Sequence, residues 1–559
     1  MVGRIVGLFR REVRSVQHAA YILAGATFLA QILSFVRDRL FAASFGATQT
    51  LDVYYASFRI PDIIFLATSS IISISVLLPR IQRADHRDAH DVSDLLRAVT
   101  TAFSGIVIVL SVIAWFLIPP AMSLLFPELG AHHQTLVDLS RLLLLSPILL
   151  GFSNILSAVV QANHRFLLSA LAPVIYNVGI VIGTLFFVPS MGIYGVAIGV
   201  IIGACGHVFV QLPFVLSRYP KAIGLSWRLL RERSAIIWSI ISVSLPRTIS
   251  LSLFELAELV LIIIAGTMAA GSIAVTTFAW NLQSVPLSLI GVSFSVALFP
   301  LLSSLHLAGD MERFRERLIF TVRQITFWCL PISALVLILR AHLVRVVLGA
   351  GAFDWTATRL TAAVMALFVL SLVFQSLSLV FTRAWYALDE TRRPLIAAFI
   401  GTLLTCVLAI ASRPLPGIFP EAFGWLTSVL RVEGVVGNEV ILLPLAFSIG
   451  AALTAILQFM QLRNKVKGLG RELLVPVSHH IIGALIGATT AYVTLQVFDA
   501  YVSMDRVLGV LLHGAAAGII GCLAAAIYFF AVRSSELLNI FDGIKRRTMK
   551  VVSDTQSPV

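Results

Sequence analysis

The sequence predicts an all-α polytopic membrane protein: about fourteen transmembrane helices, arranged as two parallel six-helix lobes and two further C-terminal helices. Three observations predict it. Of the 559 residues, 58% are hydrophobic and only 12% charged, against roughly 25% charged in a soluble globule. Apolar runs of about 20 residues, long enough to cross the hydrocarbon core, recur along the whole chain. Lys and Arg concentrate in every second connection, which is the asymmetry that sets membrane topology.

The expected spans are 17–44, 51–79, 96–119, 136–161, 166–188, 192–217, 235–266, 272–304, 318–340, 358–387, 394–412, 438–462, 474–498 and 507–532. The first is too long for a cleavable signal and is read as retained. The weakest is 394–412, because a Pro-containing, mixed stretch follows it as far as Asn438.

The net charge of +13 would suggest nucleic acid in a soluble protein. Here the cations lie in short connections and read as topology, so no nucleic-acid partner is expected. Arg4, Arg10, Arg11 and Arg14 precede the first span, and the turn around Gly46 has no cation. Arg80, Arg83 and Arg87 follow, and 120–135 again has none. The alternation continues through Arg228–Arg233, Arg313–Arg317, Arg392–Arg393 and Arg463–Arg471 to the basic tail. Arg345, Arg413 and Arg431 are the exceptions on the opposite side. An even number of spans with both termini cytoplasmic follows.

An internal repeat organises the spans. The turn after Gly46 leads to Pro61 and Pro79, and the turn after Gly266 leads to Pro286 and Pro300. The connection from Val159 and that from Tyr386 match at a similar offset, near 220–226 residues. Six spans fit in that distance, so the halves share one orientation, as in transporters built of two rocking parallel repeats. The expected division is 1–217 for the first lobe, 218–463 for the second, and 464–559 for the two extra helices and basic tail.

Gly195, Gly199 and Gly203, then Gly483/Gly487 and Gly514/Gly518, repeat at intervals of four and mark close helix packing. Pro147, Pro173, Pro246, Pro286 and Pro331 are candidate kinks. Cys205, Cys329, Cys406 and Cys522 stand singly in apolar runs and give no disulfide or metal spacing. No GxxxxGK loop is present, so ATP is not an expected cofactor. His132/His133 and His479/His480 lack further ligands at metal spacing and are read as solvated loop residues.

The candidate site is where charge interrupts apolar spans. Arg37, Asp38 and Arg39, then Asp52, Arg59 and Asp62, fall within Ala30–Pro79. Ionisable groups at that depth pair, face the bundle interior, or line a substrate path. Arg37 and Asp52 flank the same turn, which would let them approach each other. In the seventh span Arg247 is followed by Glu255 and Glu258, three apart and so on one helix face. These carboxylates are candidates for Na+ or H+ coupling, or for an ion pair with Arg37 or Arg59.

The stretch SFVRDRLFAASFGATQTLDVYYASFRIPD resembles the N-terminal signature of MurJ-type (MviN-type) lipid II flippases, of the multidrug/oligosaccharidyl-lipid/polysaccharide exporter superfamily. LPRT at 245–248, NLQSVPLSLIGVSFSVALFP at 281–300 and YALDETRRP at 386–394 are similar to the matching family segments. The resemblance implies two lobes around a cationic cavity in a bacterial cytoplasmic membrane. It implies alternating access that carries an undecaprenyl-pyrophosphate-linked peptidoglycan precursor, lipid II, from the inner to the outer leaflet. The last two helices would hold the lipid tail. Arg37 and Asp38 match the family's first-helix Arg-Asp, and Asp52 matches its acidic residue after the turn. Where the family has a further cation the chain has Gln31, an uncharged IIFLATSS run, and Asn281. Arg59 and Arg247 would then complete the cationic surface.

The expected mechanism has Arg37, Arg59 and Arg247 neutralising the pyrophosphate while Asp52, Glu255 and Glu258 exchange partners. The expected partners are lipid II or a related lipid-pyrophosphate saccharide, membrane lipids and cell-wall synthesis proteins. Competing readings are a carrier of another lipid-linked saccharide, a small-solute antiporter of the same superfamily, and a transport-dead scaffold for cell-wall enzymes.

Overall fold

The computed structural model describes residues 16–69, 74–85, 88–466, 468–499 and 506–538. The side chains of 16–22, 75, 243, 245–252 and 254 are outside that description. Among the described residues every regular element is helical, and eleven helical stretches are long and apolar enough to cross a membrane. They run from Ala89–Leu125 to Val507–Ala531 and include Arg392–Ala411, the weakest of the expected spans. The remaining three expected spans fall on Val16–Phe45, on the broken run between Gln49 and Asp85, and on Ser234–Ala265.

Compactness divides the chain elsewhere than at 217/218 and 463/464. One unit is Met1–Ala274 with Ala350–Asp354, and the other is Val275–Gly349 with Trp355–Val559. The packing explains the difference. The helices Trp227–Glu232 and Ser234–Ala265 lie against helices of residues 59–125, so 218–274 stays with the first unit. The two C-terminal helices lie against Met311–Leu348, so 464–538 stays with the second.

The first unit begins with α1 (Val16–Phe45), α2 (Gln49–Ser57), α3 (Arg59–Ser69) and α4 (Ile74–Asp85). The single expected span 51–79 is therefore broken. Pro61 explains the break at Phe58: it has no N–H to donate and is tolerated only in the first turn of a new helix, where α3 starts. Next come α5 (Ala89–Leu125), α6 (His133–Leu143), α7 (Leu145–Ala162), α8 (Phe166–Ile182), α9 (Ile193–Phe209) and α10 (Ser234–Ala265). Helix α8 joins α1 to α9 by packing on both. The glycine spacing acts there as expected: a Cβ on Gly199 would stand 2.8 Å from the Gly183 Cα, and one on Gly179 would stand 2.3 Å from the Gly203 Cα. Backbones approach that closely only where side chains are absent.

The second unit contains most of α11 (Ser272–Pro286), then α12 (Ser293–Leu307), α13 (Met311–Leu348), α14 (Trp355–Val369), α15 (Leu372–Ala387), α16 (Arg392–Ala411), α17 (Pro420–Leu430), α18 (Leu442–Lys465), α19 (Leu474–Phe498) and α20 (Val507–Ala531). A wider π turn, Leu287–Val292, follows Pro286 and separates α11 from α12. Such turns recur where the helical ladder is interrupted. The core is built on Phe314, Leu318, Phe381 and Trp385, all fully buried or nearly so. Phe327 and Phe529, with ring centroids 4.8 Å apart, tie α20 to α13.

His479 and His480 are not loop residues. Both lie in α19, where the His479 Nδ1 is 2.8 Å from the Tyr528 hydroxyl. The His480 side chain is buried, with its Nδ1 2.9 Å from Thr326 Oγ1 and its Nε2 3.8 Å from Glu536. A polar ring survives among apolar helices because each nitrogen faces a partner.

Candidate functional site

Arg37 lies eight residues before the end of α1, where α1 packs on α8. Its guanidinium grips the neighbouring Asp38 through Nε at 3.0 Å and Nη2 at 2.8 Å. Nη2 also donates to Ser34 Oγ at 3.0 Å, and Nη1 donates to the Asn177 Oδ1 of α8 at 3.3 Å. The guanidinium carbon stands 5.9 Å from the Phe41 ring centroid. Asp38 is buried and the Arg37 side chain is 19% exposed. The charge is thus desolvated and hydrogen-bonded on most of its edge. Nη1 has the longest of these bonds, and it faces the one partner supplied by another helix. A planar fork held this way is suited to phosphate oxygens, which it binds two at a time.

A second charged group forms between α3 and α10. Arg59 is 3.5 Å from Glu258 and 3.7 Å from Asp62, with its side chain 12% exposed. The alternative of an ion pair between the seventh-span acids and Arg59 is what Glu258 makes. Glu255, one turn earlier, is exposed. Tyr54 and Tyr176 lie within electrostatic reach of both Arg37 and Asp62, so the two groups are neighbours within one unit.

Asp52 does not meet Arg37. Its carboxylate accepts from the backbone N–H of Gly271 at 2.6 Å and of Ala274 at 2.8 Å. It therefore closes the N-terminus of α11, whose first N–H groups have no partner within the helix. A negative charge there also meets the positive end of the helix dipole. The turns themselves are in contact. Gly46 has φ +64° and Gly271 has φ +90°, a backbone region that favours glycine. A Cβ on Gly271 would fall 2.2 Å from the Ala47 carbonyl oxygen, and one on Gly46 would fall 2.7 Å from that of Ala352. The Ala352 N–H donates to the Ala43 carbonyl at 3.0 Å, so 350–354 also docks here.

Asn281 is half-buried in α11, and its backbone carbonyl accepts from Ser284 Oγ at 2.8 Å. Arg247 lies in α10, but its side chain is outside the described ones. Sequence reasoning missed Ser34 and Asn177, the two uncharged holders of Arg37. Ser34 was legible, since it sits three residues before Arg37 on the same helix face. Asn177 carries no local signal, because it reaches Arg37 from 140 residues away.

The family model for the lipid II flippase MurJ matches residues 41–512. The lipid II flippase MurJ of Burkholderia cenocepacia is 26% identical over 459 residues, covering 80% of this chain and 84% of the relative. The probable lipid II flippase MurJ of Thermotoga maritima is 27% identical over 418 residues, covering 73% and 82%. A solved lipid II flippase MurJ in an inward closed conformation aligns with a TM-score of 0.71 at 21% identity, covering 92% of this chain and 99% of that one. An inward-facing multidrug resistance MATE transporter of the MOP superfamily aligns at a TM-score of 0.61 and 15% identity, covering 79% and 96%. With a family model spanning most of its length and these relatives agreeing on one description, the chain belongs to the lipid II flippase MurJ family.

Proposed function

We propose that this chain moves lipid II from the inner to the outer leaflet of the bacterial cytoplasmic membrane by alternating access, with Arg37 receiving the pyrophosphate. The observation that carries the assignment of the residue is the desolvated guanidinium in α1, held by Asp38, Ser34 and Asn177. A lone buried cation is costly, and Asp38 keeps it tolerable when no anion is bound. An arriving pyrophosphate takes over the outward edge of the fork without either charge being abandoned in the apolar interior.

Arg59 supplies a second cation, balanced by Glu258 and Asp62 in the same way. The headgroup and these carboxylates compete for it, so binding releases Glu258 from its ion pair. That release gives Glu258, with Glu255 beside it, a means of taking up Na+ or H+. Membrane potential is the other source of drive, worth about 2.3 kcal/mol per elementary charge moved through 100 mV.

Asp52 acts as a latch in this reading and not as a binding residue. Its bonds reach 219 and 222 residues along the chain, close to the offset of the repeat. Turns related by this offset thus touch each other within the first unit. The cation-free composition of both turns supports their lying on the outer side, with both termini cytoplasmic.

The reading is tested by expressing the chain in bacteria depleted of their own lipid II flippase. Restored growth and normal cell shape are expected. Lysis despite correct membrane insertion would contradict it.

A further inference from the structure

Two of the arginines that break the loop-charge alternation, Arg345 and Arg431, line one cavity together with Arg340 and Arg359. Within the second unit a cavity of about 1090 Å³ is lined by Arg340 and Arg345 near the end of α13, Arg359 near the start of α14, and Arg431 just past α17. Arg359 Nε donates to the Arg431 carbonyl at 2.8 Å, and the Arg359 Nη2 bonds the same oxygen. Arg340 Nη1 donates to the Leu337 carbonyl at 2.8 Å. Arg340, Arg359 and Arg431 make no ion pair with a carboxylate among the described residues. Asp499, at the end of α19, is the one acidic side chain lining the cavity. The lining adds His342 and His513, with Nε2 and Nδ1 3.0 Å apart, and the His342 Nδ1 is buried without a hydrogen-bond partner among the described residues.

The remaining lining is apolar, including Ile338, Ala362 and Val510. Trp355 and Tyr492 also line it and are themselves exposed, as aromatic side chains are at the level of lipid headgroups. Three guanidiniums without a carboxylate partner among the described residues, Arg340, Arg359 and Arg431, against the one lining carboxylate of Asp499, at an end of the bundle where topology disfavours cations, form a positive chamber. A basic pocket between membrane helices is suited to an anionic lipid headgroup. The guanidinium is the side chain best matched to phosphate oxygens.

We propose that this cavity is a second anion site, distinct from the Arg37 group, which binds the phosphate of an anionic lipid in the outer leaflet. The apolar wall and the exposed aromatics favour a lipid over free phosphate. A lipid held here braces α13, α19 and α20 at their outer ends, where Gly514 of α20 already lies close against His342.

The test uses the full chain purified in detergent. Binding of phosphatidylglycerol, phosphatidylcholine and inorganic phosphate is followed by native mass spectrometry and by the shift in Tm. Phosphatidylglycerol is expected to bind, with phosphatidylcholine and inorganic phosphate weaker. Combining Arg340→Gln with Arg359→Gln is expected to weaken phosphatidylglycerol about 30-fold, from the usual contribution of two basic residues to an anionic headgroup. Combining Arg340→Lys with Arg359→Lys keeps most of the binding. Asp499→Asn removes the one repulsive charge and is expected to tighten binding about fivefold, a gain that misfolding does not mimic. Unchanged binding in the double glutamine variant would overturn the proposal. So would equal binding of phosphatidylcholine, full displacement of the lipid by equimolar inorganic phosphate, or weaker binding by Asp499→Asn.

Discussion

Asp52 and Ala274 are joined by a 2.8 Å hydrogen bond across 222 residues of chain, and the Gly271 N–H completes the same carboxylate cap at 2.6 Å. Few devices fix two distant turns so directly. The acceptor is buried and the donors are backbone groups, so nothing else in the vicinity replaces it without cost. Asp52→Ala is expected to destabilise the chain by about 1–2 kcal/mol, the usual value of a helix N-cap. Asp52→Asn retains one acceptor oxygen and loses less. Thermal unfolding in detergent reads the order wild type, Asn, Ala, and equal stability of all three would refute the latch.

The packing of α8 on α9 depends on hydrogen atoms where other residues have side chains. Gly199→Leu would drive a branched side chain into the Gly183 backbone, which a Cβ alone already approaches to 2.8 Å. Loss of monodisperse folded protein is expected on size-exclusion chromatography. Gly25→Ala, where a Cβ meets nothing within 4 Å, serves as the tolerated control.

The Arg59–Glu258 pair is partly buried and joins α3 to α10. Removing either partner leaves a charge in poorly solvated surroundings, which costs more than the pair itself contributes. Arg59→Gln and Glu258→Gln are each expected to lower stability, and the double variant to recover part of the loss. A double-mutant cycle should give a coupling of about 1–3 kcal/mol. Strict additivity would mean that the two side chains do not interact.

Glu536, beyond the last membrane helix, ties the end of the described chain to α13. Burial raises the affinity of its carboxyl for a proton. Hydrogen bonds with His480, Ser534 and Arg323 outweigh that and hold it well below its ordinary value of 4.5. The Arg323 Nε contact is 2.6 Å. A depressed carboxylate stabilises the fold fully above its unfolded value, and the contribution is lost as the pH falls toward its folded value. The Tm gap between wild type and Glu536→Gln is therefore expected to be widest at neutral pH and to narrow below about pH 4.5. A gap that widens on acidification would reverse the assignment.

What was legible in the sequence follows from period and composition. Membrane spans announce themselves by apolar length, and even 394–412, the weakest of the expected spans, falls on the helix Arg392–Ala411. The glycine interval 195/199/203 marks α9 as a closely packed helix, and the structure supplies its neighbour, α8, through Gly179 and Gly183. Pairings between distant residues were not legible. Asp52 caps a helix it meets only after folding, and nothing local in GATQTLDVYY distinguishes a cap from a binding group. Arg37 finds its main partner next door in Asp38, which sequence spacing left open. Adjacency of His479 and His480 is not a loop signal: on α19 the two rings point to different neighbours, Tyr528 and Thr326. Gly401 and Gly450 were not singled out as a pair, although a Cβ on Gly401 would stand 2.7 Å from the Gly450 carbonyl oxygen. They lie on different helices and form no interval in the sequence.

Arg37 is the residue on which the transport account rests. Arg37→Lys keeps the charge but loses the fork that spans Asp38, Ser34 and Asn177, so it is expected to transport poorly. Asn177→Ala removes only the Nη1 partner and is expected to be milder. The most direct measurement is the accessibility of lipid II at the outer membrane surface, in flippase-depleted cells carrying wild type or Arg37→Ala at equal membrane levels. Wild type is predicted to restore outer-leaflet lipid II and Arg37→Ala to leave it at the depleted level. Full restoration by Arg37→Ala would contradict the account.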